Sequence, residues 1–422
     1  MDINNILKGI NCSCGKIHNC DIEHVYIEND AISRLKELCK KAKGILIVAD
    51  ENTFSAAGGK VEKVLCDKNT KKVIFSGDTV LIPDEKAIDK VRNELVGMDL
   101  ILGVGSGVIQ DLCKYVSFFA KIPYMIVATA PSMDGYASDG AAMILNGMKE
   151  TVKAGLPRAI IADTKVLKDA PIDMIKAGYG DIIGKFSALC DWKLSVAVND
   201  EYFCQYIYDT TYRMIENTIN TAKGLLERDE ESVKTLMEAL IVVGIMMSFA
   251  GSSRPASGSE HHLSHFFEIV GIVNNDPYFV HGIDVAYSSV ITSMIREKVL
   301  KSELPDTLYR PSREYYVEKM NKIYRSVANG CIALQDKVGN YASDRLGVYK
   351  QKEEEIRKIL SSSPGADEIK QILGFVGLDM KDFYDMYGNE KIEEAIMYAK
   401  DLKDRYTVLW YNYDILGGRV NG

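Results

Sequence analysis

DLILGVGSGVIQDLCK, residues 99–114, decides the fold: an apolar run breaks at glycines and resumes as a helical pattern. Leu100, Ile101, Leu102 and Val104 read as a strand buried on both faces. Gly103, Gly105 and Gly107 permit a tight turn and close backbone approach, and Val108 to Ala120 reads as a helix. The N–H groups and positive dipole end at that helix start suit a pyrophosphate, and Ser106 adds a hydroxyl. A tight strand–helix turn without a ligand is the plain alternative.

Outward from this stretch the same alternation repeats. GILIVAD (44–50), KKVIFSG (71–77), IPYMIVATA (122–130) and RAIIAD (158–163) read as strands, and IPDEKAIDKVRNELVG as a helix. Strands alternating with helices predict a parallel sheet with helices on its faces. AAMILNGMKETVK reads as a hairpin, with Asn146 and Gly147 as its turn. From about Ala170 long helices take over, at 173–197, 203–226, 231–249, 258–271 and 281–300, and LIVVGIMMSFA (240–250) reads as a buried one. Charged amphipathic helices continue through 301–422. The expected division is an α/β domain over 1–168 and an all-α domain over 169–422.

The 422 residues support a sizeable core. Lys and Arg number 51 against 59 Asp and Glu, a net charge of −8, which argues against nucleic acid as a main partner. A local basic pocket for a small phosphate remains compatible with that balance. No run of about 18 apolar residues occurs, so no membrane span is expected. MDINNILKGINCSCGK lacks the apolar stretch of a signal peptide, and a cytoplasmic enzyme is expected. Of the nine cysteines, Cys39, Cys66, Cys113, Cys190, Cys204 and Cys331 are scattered, as befits reduced, buried thiols. Cys12, Cys14 and Cys20 surround His18 in NCSCGKIHNC, which reads either as a second, structural metal site or as a turn with reduced thiols.

Four of the six histidines cluster in SGSEHHLSHFFE…FVHGIDVA: His261, His262, His265 and His281. Neutral imidazole is the commonest ligand for a borderline transition metal, and GYGDIIGK supplies an acidic partner in Asp181. His261 and His265 share a helix face, while His262 points about 100° away. Three ligands from three helices leave an open position, as a catalytic metal needs. Asp50 ends the first of these strands, where a carboxylate grips a ribose hydroxyl and repels a 2′-phosphate, or simply caps the next helix. TAPSMDGYASDG (129–140) follows another strand end and is rich in hydroxyls, carboxylates and glycine.

Taken together, ILIVADENT, GVGSGVIQDLCKY, VATAPSMDGYAS, DTKVL, GYGDIIGK, SRPASGSEHHLSH and VHGIDVA resemble the iron-containing alcohol dehydrogenase and dehydroquinate synthase superfamily. The likeness is strongest to its glycerol-1-phosphate dehydrogenase branch, in the bacterial NAD-dependent form, and spans about 45–290. It implies a dehydroquinate synthase-like fold: a Rossmann-like α/β domain that binds NAD, and an all-α domain that binds metal, with the site in the cleft. Carried over by motif, the metal ligands are Asp181, His261 and His281. The cofactor contacts are Asp50, Gly103, Gly105, Ser106, Gly107, Asp111, Thr129 and Ser132. Asp134 falls at a position near substrate and nicotinamide. Two departures sort the branches: Lys185 stands where iron-type alcohol dehydrogenases place a histidine, and Asp181 stands where dehydroquinate synthases place a glutamate. SRPASGSEH favours the phosphate-using branch, and Ser106 replaces a glycine common in relatives.

The expected reaction is reversible hydride transfer between NAD(H), preferred over NADP(H), and the C2 position of glycerol 1-phosphate, with dihydroxyacetone phosphate as the ketone. One divalent metal per chain (Zn, Ni or Fe) would act as a Lewis acid at the C2 oxygen. Asp134 or His265 would orient the substrate hydroxyl and relay its proton. Arg254 would clamp the substrate phosphate, with Lys185 and Lys153 as weaker choices, or else sit in a salt bridge. The rival readings are a glycerol dehydrogenase for unphosphorylated polyols, a dehydroquinate-synthase-like cyclase and an inactive binding protein. A homodimer or higher homo-oligomer is a family expectation.

Overall fold

A computed structural model describes residues 3–79, 81–145 and 148–418. The chain forms two compact units, Met1–Gly178 with Asn220–Ser252, and Tyr179–Ile219 with Ser253–Gly422.

Among the described residues the first unit carries ten strands in chain order. β1 (Ile10–Asn11) and β2 (Ile17–His18) make a small antiparallel hairpin. β3 (His24–Glu28), β4 (Ile45–Asp50), β5 (Thr70–Phe75), β6 (Leu100–Gly105), β7 (Tyr124–Ala128) and β10 (Ala159–Asp163) form one sheet in the order β3-β10-β7-β6-β4-β5. Every pairing in it is parallel, as the alternation predicts. Its central strands are buried on both faces. Ile45, Ile47, Leu102, Val104 and Val127 point into one helical layer, and Leu46, Val48 and Ile101 into the other. β8 (Gly140–Leu145) and β9 (Met148–Lys153) pair as the expected hairpin; its turn, Asn146 and Gly147, lies outside the described residues. The edge strand β3 was not anticipated, because HVYIE is only partly buried and carries no strong apolar run.

α1 (Gly107–Ala120) follows β6. The later helices are α2 (Ile172–Asn199), α3 (Gln205–Ile219), α4 (Glu230–Ala250), α5 (Ser259–Asn274) and α6 (His281–Lys301). The continuous helix expected over 203–226 breaks after Ile219 and resumes at Ala222–Leu226.

The single boundary expected at 168 is not what forms. Residues 220–252 belong to the first unit because α4 packs there. Ser248 donates to the Ala137 carbonyl at 3.0 Å, Arg228 donates to the carbonyls of Lys168 and Ala170, and Thr164 bonds to Glu230. α4 is long and apolar enough, by length and composition alone, to cross a membrane. Most of its apolar window (78 %) is buried in the protein, so it is a core helix. Among the described residues the second unit holds helices and no strands, and 301–418 builds much of its core around Tyr349, Trp410 and Tyr413.

Candidate active site

The first unit gathers the expected cofactor residues at the C-terminal ends of β4, β6 and β7, the edge where parallel sheets bind ligands. β6 ends at Gly105, whose carbonyl accepts from Thr129 N at 3.1 Å, which links the glycine turn to the loop after β7. A Cβ on Gly105 would lie 2.6 Å from Ile109 Cβ, so α1 can start this close to the strand only over glycine. Gly103 lies within β6, paired with Val48 and Ile126, whereas Gly107 opens α1 and Ser106 is its N-cap. Asp50 closes a capping box with Thr53: its carboxylate accepts Thr53 N at 2.8 Å, and Thr53 Oγ1 accepts Asp50 N. The capping role therefore exists, with the carboxylate held at the strand end.

The loop after β7 is braced by residues that the sequence reading passed over. Buried Lys114 donates to the carbonyls of Gly135 and Gly140 and pairs with Asp111 at 3.3 Å. Gln110 donates to Tyr124 OH and to the Tyr136 carbonyl, and Tyr136 OH donates to the Ala130 carbonyl. Thr129 and Ser132 are buried, and Asp134 opens the short 3-10 turn Asp134–Ala137. A lysine inside an apolar helix was the available signal, since burial demands partners for its ammonium.

The second unit brings Asp181, His261 and His281 together. Their donor atoms all lie within 4.8 Å of one another. Glycines allow this closeness. A Cβ on Gly180 would come within 2.4 Å of the Gly282 carbonyl oxygen, so α2 and α6 touch backbone to backbone beside Asp181 and His281. α5 supplies His261, and Asp191 fixes its first turn by accepting Ser259 N, Ser259 Oγ and Val408 N.

Around the donors stands a polar shell. Buried Glu260 accepts His261 Nδ1–H at 2.6 Å, which leaves Nε2 facing Asp181 at 3.4 Å. Ser264 Oγ lies 3.2 Å from His281 Nδ1. Burial alone would raise the Asp181 pKa. Lys185, whose Nζ donates to Oδ1 at 2.6 Å, together with His261 and His281, holds the carboxyl well below the usual range. His261 is pushed the other way: burial and Lys185 disfavour its cation, but Asp181 and Glu260 outweigh them and raise its pKa. One ionised carboxylate and two oriented imidazoles are a donor set that fits a divalent transition metal.

His265 stands beside this cluster. Its ring stacks 5.2 Å from His281, and Nδ1 is 3.6 Å from Glu268. His262 is fully buried, its two ring nitrogens have no hydrogen-bond partner, and burial depresses its pKa far below 6.5. It points away, as the helical spacing predicts.

Two of the three phosphate candidates, Arg254 and Lys185, are engaged inside the protein. Arg254 is buried and spends its guanidinium on Glu201 (2.6 and 2.7 Å), the Tyr406 carbonyl and Ser195, an internal tie in place of a clamp. Lys185 is fully buried and serves as counter-ion to Asp181. Lys153 is exposed, 3.7 Å from Asp139. Among the scattered cysteines, Cys39, Cys113, Cys190, Cys204 and Cys331 are buried as expected, whereas Cys66 is exposed.

Residues 26–171 match the family model described as iron-containing alcohol dehydrogenase. The chain is 34 % identical over 325 residues to a glycerol-1-phosphate dehydrogenase [NAD(P)+] of Geobacillus thermodenitrificans, covering 74 % of this chain and 80 % of the relative. It is 30 % identical over 408 residues to the enzyme of the same name from Halalkalibacterium halodurans, covering 94 % of each. Among solved structures, NADH-dependent butanol dehydrogenase A from Thermotoga maritima superposes with a TM-score of 0.61 at 16 % identity, over 93 % of this chain and 92 % of that one. The superposition speaks for the fold and the sequence identity for the lineage: this chain belongs to the iron-containing alcohol dehydrogenase family, among its glycerol-1-phosphate dehydrogenases.

Proposed function

We propose that the protein is a metal-dependent glycerol-1-phosphate dehydrogenase, which reversibly reduces dihydroxyacetone phosphate with NAD(P)H. The observation that carries this reading is the convergence of Asp181, His261 and His281 in a chain so similar to enzymes of that name. Asp181, His261 and His281 would hold one divalent ion, Zn, Ni or Fe, which when bound supplies Lewis-acid chemistry at the C2 oxygen of the substrate.

The chain's own residues do the rest. Glu260 fixes the tautomer of His261 and keeps its Nε2 lone pair outward. Ser264 orients His281. His265, beside His281 and within reach of Glu268, would orient the substrate hydroxyl and exchange its proton. Asp134 is the second proton-handling candidate, in the loop braced by Lys114. The strand end and helix start over Gly103–Gly107, with Thr129, Ser132 and Asp111, would bind the dinucleotide, which supplies the hydride. Asp50 would accept from a ribose 2′-OH and repel a 2′-phosphate, which favours NAD.

The test compares NADH oxidation by metal-reconstituted protein with dihydroxyacetone phosphate and with dihydroxyacetone. Chelator-sensitive turnover of the phosphate alone is expected. Preference for the free ketone would make the protein a glycerol dehydrogenase. No net oxidation with either would overturn the dehydrogenase reading.

A further inference from the structure

The N-terminal hairpin holds a second constellation that the dehydrogenase chemistry does not use. β1 and β2 are two residues each, too short to bury a core of their own. The connection is tight: Cys12 N donates to the Lys16 carbonyl at 3.0 Å and Gly15 N to the Cys12 carbonyl at 3.1 Å. Gly15 makes the turn at φ +85°, a conformation that side chains resist. This turn sets Cys12, Cys14 and His18 on one side, with donor atoms all within 4.8 Å of one another.

His18 is oriented for more than packing. It is almost wholly buried, and its ring stacks on Phe249 at 5.2 Å and 11°. Its Nδ1 lies 3.1 Å from the Phe249 carbonyl oxygen. A carbonyl can only accept, so Nδ1 is the donating nitrogen, and a metal would be taken by Nε2. That nitrogen faces Cys14 Sγ at 3.4 Å. A carbonyl on the far nitrogen is how metal-ligating histidines are held. A tetrahedral zinc ion with ordinary Zn–S and Zn–N lengths has S···N edges of about 3.6 Å and S···S edges of about 3.8 Å. A thiol–imidazole hydrogen bond would need one cysteine; here two converge.

We propose that Cys12, Cys14 and His18 form a second, structural metal site for a thiophilic divalent ion, Zn²⁺ in the first instance. The ion staples the hairpin to the C-terminal end of α4 through the His18–Phe249 contact. Cys20 is not part of it. Its thiol is buried, bonds to Ser248 and stands outside the group of converging donor atoms.

The test strips the full chain of metal and titrates it with Co²⁺. Thiolate ligation gives near-ultraviolet charge-transfer absorption, which a carboxylate–imidazole site cannot. Wild type is expected to bind two ions, one with that absorption. Cys12→Ser/Cys14→Ser should bind one ion without the band, and Asp181→Ala one ion with it. Cys20→Ser and Cys66→Ser should keep the band. Should the double variant fail to fold, wild type still decides, because bound Co²⁺ should shield Cys12 and Cys14 from alkylation. A wild type without the band, a band that survives the double substitution, or one lost with Cys66 would overturn the proposal.

Discussion

Glu260 and His262 flank His261 in sequence with opposite duties. Glu260 accepts His261 Nδ1–H and the Gly258 amide, so it sets where the ligand lone pair points. Glu260→Gln should weaken metal binding by about 10–100-fold, read by competition with a chromogenic chelator. An unchanged affinity would remove the orienting role. His262 contributes no ligand, and its nitrogens bond to nothing. His262→Phe should therefore keep full metal stoichiometry and turnover; a lost ion would mean that the ligand set is wrong. Asp191 is a different residue-scale case. Burial pushes its carboxyl up to about 6 from 3.8, against the opposing Ser259 bonds and with Glu260 adding to the rise. Between those values the native state holds more protons than the unfolded chain, so this group's stabilisation is lost as pH rises through 3.8 to 6. Asp191→Asn should lack that decline, worth about 3 kcal/mol at most. Denaturant unfolding at several pH values checks it, and parallel curves for the two proteins would refute it.

At the scale of elements, the site is a matter of helices that come unusually close. Gly180 and Gly282 let α2 and α6 meet backbone to backbone. Gly180→Ala should force them apart, cost about 1–3 kcal/mol from overpacking, and separate Asp181 from His281. Metal content and thermal unfolding should both fall; a variant with wild-type metal content would show that the contact is slack. The elements also show what was legible. Strands such as ILIVAD and LILGVG announce themselves because both faces are buried, and the histidine helix because three of the six histidines fall within its residues 261–265. The edge strand β3 was hidden because one-sided burial leaves no apolar run. The membership of α4 in the first unit was hidden because an all-apolar helix does not say which core it enters. Arg254 was misread for a similar reason: sequence shows a cation near the site but not the Glu201 and Tyr406 oxygens that satisfy it. Lys114 escaped notice because its carbonyl partners lie some twenty residues away in the chain.

For the whole molecule, the pair Lys185–Asp181 couples metal to stability. Without metal, Asp181 is a carboxylate with 1 % of its side chain exposed, and Lys185 at 2.6 Å is its cationic partner. An ammonium and a divalent ion compete for the same oxygens, so Lys185 is expected to support the metal-free fold and to oppose metal binding. Lys185→Met removes the competitor. The metal-free variant should lose roughly 3–5 kcal/mol, since a buried ion pair has been broken on one side. Its metal affinity should rise by at least about tenfold, or about 1.4 kcal/mol, because the repulsion between two cations is gone. Bound metal stabilises by mass action, so the gap in Tm between metal-free and metal-loaded protein should widen in the variant. Thermal unfolding over a metal titration reads both effects in one experiment. If affinity falls instead, Lys185 supports the ligand geometry rather than opposing the charge, and its ammonium must remain beside Asp181 in the loaded site.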